Sequence, residues 1–309
     1  MNLSALAVAL LAACYLGFGF SKGRAAFRRL RGGSVAAGAC LLLIYLLAVN
    51  LRPTGEALVR LVVVLTLPAL FLHQSRGSKR VTAWHFLAVG ALWFPLEPSL
   101  FLLPLGDAAH TLAPALRWLT LPPIQTSLSP TLQVPLEKLI LVVWALFLFT
   151  VRYPLEGIGF TWHLTWADCR RALQGLALFS LGGVPLGLAL KFLHWAPHFD
   201  TLTKVGLSWL GMYFFVALPE EILFRGLIQN LLRKVPGTRS AASLLAALIF
   251  GASHLNNATP GFPVPNWAYM AVATIAGLAY GWVWERQHKV TASALTHASV
   301  NILWRILFR

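Results

Sequence analysis

The chain has 309 residues, 58% of them apolar and 11% charged, against roughly 45–50% and about 25% in soluble domains. Its mean hydropathy is +0.69, and apolar runs recur close to the ~20 residues that a helix needs to cross hydrocarbon. These values exclude a water-soluble globule and predict an all-α fold, a polytopic transmembrane helical bundle. A formal charge of +15 raises the question of a nucleic-acid partner, which the placement of the charges answers below. Cys14, Cys40 and Cys169 stand singly and far apart, so neither a disulfide framework nor a cysteine metal site is indicated.

In chain order, the first apolar run covers residues 3–20. Its Leu11-Ala12-Ala13-Cys14 resembles a lipoprotein cleavage box. A secretory signal, however, carries positive charge before its apolar run, and here the basic cluster Lys22, Arg24, Arg28, Arg29, Arg31 follows it. The run is therefore read as a span. Further spans are predicted at about 34–50, 57–73, 82–104, 136–151, 171–193, 206–233, 239–256, 266–285 and 291–308, which makes about ten. The stretch 105–135 is rich in proline and contains the amphipathic piece AAHTLAPALRWL, which predicts an interfacial segment without a span. No repeat and no low-complexity tract stands out.

Lys and Arg in the links after the odd-numbered spans total 16, against six in the other links and flanks. Basic residues stay on the cytoplasmic side, so both termini are predicted outside, in a multi-pass protein of a bacterial inner (cytoplasmic) membrane. The same distribution accounts for the net charge. The cations are divided among short links rather than gathered on a stripe with stacking aromatics, so no nucleic acid is expected as a partner.

The chemistry is concentrated in the last third, where polar groups fall inside apolar runs. An ionisable side chain at the bilayer centre costs about 2.5 kcal/mol or more and marks a functional site by default. Within GLSWLGMYFFVALPEEILFRGLIQNLL, Glu221 and Arg225 are four residues apart, with the acid N-terminal, and pair on one helical face. Glu220 points about 100° away, and four residues on it meets Phe224, so its partner must come from another span. Pro219 frees a backbone carbonyl and predicts a kink at the site. Phe250 and His254 end a second apolar run, and His297 and Asn301 lie one turn apart on a third. Taken singly, each group reads as well as a packing anchor or as hydrogen-bonding glue between helices. Together, a carboxylate, two imidazoles and a carboxamide are the parts needed to activate water and hold an oxyanion. Gly277 and Gly281 form a GxxxG, read as a close helix contact.

Glu220-Glu221 with Arg225, Phe250 with His254, and His297 with Asn301 resemble the EExxxR, FxxxH and HxxxN motifs of the CPBP family. These are the CAAX-protease and bacteriocin-processing intramembrane proteases, also called Abi or type II CAAX prenyl endopeptidase-like proteins. The resemblance covers about residues 205–308. It separates a core over 171–309, with its motifs at 220–301, from an N-terminal helical extension over 1–170 that resembles no named family. It implies an endopeptidase acting on a membrane-proximal or lipid-modified peptide or protein, with the bilayer as the other partner. By similarity, Glu220 is the general base acting with His254 on water, and His297 and Asn301 hold the oxyanion. Glu221, Arg225 and Phe250 give structural support. No cofactor is expected. The alternative is zinc on Glu220, His254 and His297, three ligands with an open fourth position, although HExxH is absent. Competing readings of the same residues are a proton-coupled transporter and a catalytically silent immunity or scaffold protein.

Overall fold

The computed structural model describes residues 2–30, 32–78, 80–97, 118–121, 124–129, 132–198 and 200–308. They form two compact units, 1–156 and 157–309. Apart from one short antiparallel hairpin, β1 (Gln125–Ser129) with β2 (Leu132–Pro135), the regular elements are helices.

The first unit contains α1 (Leu3–Gly17), α2 (Ser21–Arg28), α3 (Gly33–Ala48), α4 (Gly55–Gln74), α5 (Ala83–Trp93) and α6 (Leu136–Phe147), which continues as a π-turn over Leu148–Arg152. The first predicted span is shorter than its apolar run, because the chain turns by 108° between α1 and α2. The corner is built locally. Arg24 Nη1 donates to the Phe18 carbonyl at 2.6 Å, satisfying an acceptor at the end of α1. Phe18 and Phe27 stack with centroids 4.2 Å apart. Helix α2 carries Lys22, Arg24 and Arg28 in eight residues, the composition of a helix lying in the headgroup region. Further in, Trp144 on α6 donates to the Leu65 carbonyl on α4 at 2.8 Å, and almost every residue of α6 is buried.

The second unit contains α7 (Trp166–Ala189), α8 (Leu202–Lys234), α9 (Ala242–Ala252), α10 (Trp267–Gln287) and α11 (Val290–Leu307). Helix α10 packs on α7, α9 and α11, and α8 packs on α9, α10 and α11. A capping box of Thr165 and Asp168 opens α7. Asp168 Oδ2 also receives Lys289 Nζ at 2.7 Å, joining the starts of α7 and α11. Nearby, Gly159 has φ +76°, and a Cβ there would lie 2.2 Å from the His288 carbonyl. Only glycine lets the backbone approach so closely with that dihedral.

By length and hydropathy, α4, α7 and α8 suffice to cross a membrane, and the bent pair α1 and α2 makes a fourth if counted as one span. The ten segments read from the sequence all coincide with helices, but most miss this criterion for physical reasons. Helices α3, α5 and α9 have 16, 11 and 11 residues, and α11 carries Thr291, Ser293, Thr296, His297 and Asn301 in 18. The later part of the predicted span 82–104 and much of the interfacial segment 105–135 lie outside the described residues.

Pro219 does not end its helix. Helix α8 accommodates it by changing hydrogen-bond register, with π-helical stretches at Tyr213–Ala217 and Ile222–Gln229 flanking a short α segment at Leu218–Glu221. Such stretches frequently accompany functional sites.

The GxxxG reading of a close helix contact agrees with the packing. A Cβ on Gly277 would meet Ala247 Cα at 3.1 Å, and one on Gly281 would meet Gln229 Oε1 at 2.9 Å. Gly251 on α9 is tighter still, with Thr274 Oγ1 2.0 Å and the Met270 carbonyl 2.7 Å from such an atom. Gly251→Ala is expected to lower stability by about 1–3 kcal/mol through forced separation of α9 and α10. Gly206→Ala, where the added methyl meets nothing within 4 Å, is expected to be neutral or to stabilise by up to about 1 kcal/mol. Thermal unfolding of both variants in detergent micelles checks the pair.

Candidate active site

The three sequence clusters converge. Glu220 and Glu221 stand on the α segment between the π-helical stretches of α8, Phe250 and His254 lie at and just beyond the end of α9, and His297 and Asn301 lie on α11. Glu220, Phe250, His254, His297 and Asn301 line one cavity of 190 Å³. Tyr269 and Tyr280 of α10 and Trp304 of α11 complete its aromatic wall.

Glu221 and Arg225 are fully buried, with Oε2 and Nε 3.3 Å apart, so the predicted ion pair is present. Glu221 has two further partners that the linear pattern did not disclose. His297 Nδ1 lies 2.9 Å from its Oε1, and Ser293 Oγ donates to its Oε2 while also reaching the Tyr280 carbonyl. Arg225 Nη2 donates to the Gly277 carbonyl at 3.0 Å, and its guanidinium lies 5.1 Å from the Phe250 ring centroid and 5.7 Å from that of Tyr280. The pair thus ties α8 to α10 and α11. A buried ion pair needs such additional bonds to offset its desolvation.

Glu221 also fixes an imidazole. A carboxylate is an acceptor, so Nδ1 of His297 carries the proton it donates, and Nε2 is directed to the other side. On that side Glu220 Oε2 is 3.8 Å away. Glu220 retains 24% of its side-chain exposure where Glu221 has none. The partner from another span is therefore found on α11. Tyr280 stacks on the His297 ring at 4.4 Å and 16°, and Phe250 meets it edge-on at 5.6 Å, so the ring is held on two sides. Ser293→Ala is expected to keep the fold and to loosen His297, lowering turnover by about tenfold through misplacement of a reacting group. Turnover of the variant, set beside the His297 ring resonances in wild type and variant, checks this.

His254 is held differently. Its Nδ1 is 2.9 Å from the Phe250 carbonyl, which can only accept, so Nδ1 carries the proton and Nε2 is the acceptor nitrogen of the neutral ring. Tyr269 packs against the same ring at 4.6 Å. Asn301 lines the cavity and directs Nδ2 at Met212 Sδ of α8, 3.2 Å away. As a zinc set, Glu220, His254 and His297 do not come together. Among the described residues, no group of three or more His, Cys, Asp or Glu is arranged to hold a metal ion.

Residues 203–303 match the family model described as type II CAAX prenyl endopeptidase Rce1-like. This stretch is a CAAX-protease-family segment. It contains all seven motif residues, from Glu220 to Asn301. No curated protein and no solved structure matches the chain. The CAAX-protease segment comprises α8 to α11 except for the last few residues of α11 and the first residue of α8. Family and apolar helices together imply an integral membrane protein with hydrolase activity of the CAAX-protease type.

Proposed function

We propose that the chain is an intramembrane endopeptidase that hydrolyses peptide bonds of a membrane-proximal or lipid-modified substrate without a metal. The observation that carries this reading is the approach of Glu220 Oε2 to within 3.8 Å of His297 Nε2 at a cavity also lined by His254 and Asn301. That separation is too long for a direct hydrogen bond and suits a bridging water. Glu220 takes a proton from this water, with the acceptor Nε2 of His254 as the second polar group directing it. The resulting hydroxide attacks the scissile carbonyl, and the proton held by Glu220 passes to the leaving amine. His297 donates from Nε2 to the oxyanion while Glu221 holds Nδ1, and Asn301 supplies a second amide donor. With His297 protonated, the two carboxylates are matched by one imidazolium and one guanidinium. The buried set is then neutral, the arrangement a low-dielectric site favours.

The topology proposed with this activity has about ten spans and both termini outside, in a bacterial inner membrane. It rests on the division of Lys and Arg among the links and on the coincidence of each apolar run with a helix. The test is reconstitution of the full chain in vesicles with a library of peptides, with and without a C-terminal isoprenoid, in the presence and absence of a chelator. Defined internal cleavage products that persist with chelator are expected. No cleavage of any peptide overturns the protease reading, and cleavage abolished by chelator and restored by zinc overturns the metal-free chemistry.

A further inference from the structure

The first unit contains a second, larger cavity that the proposed hydrolysis does not use. Its volume is 610 Å³, within the ~300–1,000 Å³ usual for small-molecule sites. Helix α3 lines it from Ser34 to Leu42, a run of about 12 Å at the rise of an α-helix.

The two ends of this cavity differ in chemistry. Leu42, Val62, Leu65 and Trp144, all from the interiors of their helices, make one end apolar. Ser34 at the start of α3, His73 at the end of α4, and Arg152 and Tyr153 after α6 make the other end polar. At that end Arg152 lies over the Tyr153 ring, 5.3 Å from its centroid. Its Nε is 4.0 Å from where a Cβ on Gly33 would lie, beside the first turn of α3 with its unsatisfied backbone N–H groups. A second cation is close by, since Arg28 Nη2 donates to the Thr150 carbonyl at 3.5 Å. None of the described residues lining the cavity is acidic.

We propose that this cavity holds one anionic phospholipid of the surrounding bilayer. An acyl chain lies along Leu42, Val62, Leu65 and Trp144, and the phosphate is held at Arg152 and the N-terminus of α3. Charge complementarity selects the occupant. The polar end offers cations and N–H donors to a phosphate, and its described lining offers no carboxylate to the ammonium of a zwitterionic headgroup. Basic pockets between membrane helices bind acidic headgroups on this principle.

The experiment uses the full chain, delipidated in an uncharged detergent and titrated with phosphatidylglycerol or phosphatidylcholine of the same acyl chains. Native mass spectrometry counts the bound lipid. Phosphatidylglycerol is expected to bind one per chain, about five- to tenfold more tightly than phosphatidylcholine. Arg152→Gln is expected to bring the two lipids within about twofold of each other, by removing the principal cation. Gly38→Leu, which fills the cavity beside Trp144, is expected to lose both lipids, and Ala39→Leu provides a second filling variant should the first fail to fold. Equal binding of the two lipids by wild type overturns the proposal. So does a preference unchanged in Arg152→Gln, or tighter retention of a farnesylated cysteine methyl ester than of phosphatidylglycerol that the filling variants abolish. None of these readouts depends on peptide cleavage, so the outcome is independent of the proposed protease activity.

Discussion

Glu220→Gln is expected to lower turnover by about 10²–10⁴, the contribution of a positioned general base, while the protein stays folded. The substitution preserves shape, and the side chain it alters faces a cavity and keeps a quarter of its exposure. A carboxamide still bonds to water but does not take its proton, so substrate binding should persist and the loss should fall on kcat rather than KM. Single-turnover cleavage of a peptide identified in the reconstituted library, together with an unfolding curve in micelles, reads both halves of this expectation. Normal cleavage by the variant removes Glu220 from the role of base.

The second large effect concerns the neighbouring pair. Glu221→Gln and Arg225→Met should each cost about 3–5 kcal/mol, because each leaves an uncompensated charge in a fully buried place. The double variant should cost less than the sum, since it strands neither charge. Arg225→Met keeps apolar contact with Phe224, Phe250 and Tyr280, whose rings surround the guanidinium, so the cycle isolates charge from packing. Unfolding free energies of the four proteins test this. Strict additivity would mean that the two groups do not act as a pair. In the double variant His297 loses its carboxylate partner at Nδ1, so turnover should not recover with stability.

The pair Glu221–Arg225 was legible because i,i+4 spacing with the acid first is a local rule, and local rules hold wherever a helix forms. The isolation of Glu220 followed from the same geometry and correctly required a partner on another helix. Which group that partner is depends on how α8 and α11 pack, and no spacing within one segment encodes it. The same limit hid the contact of Ser293 with Glu221, although one signal was present. Ser293 precedes His297 by four residues and therefore shares its face of α11. Tyr280 was hidden too, because it falls between the two glycines of a GxxxG read only for close approach. The number of spans proved harder to read than the positions of the helices. The helices that carry the site dilute their own hydropathy with the polar groups the site needs, and α3, α5 and α9 are simply short.

The π-helical stretches of α8 have a consequence for how this segment tolerates insertions and deletions. A π-turn holds one more residue than the α-turn it replaces, so removing a single residue from Tyr213–Ala217 would restore the ordinary ladder and rotate everything on one side of the lesion by about 100° relative to the other. Glu220 and Glu221 would then trade directions without any change in their own identity. Spacing upstream of the two acids is thus as much a determinant of the reactive face as the acids themselves.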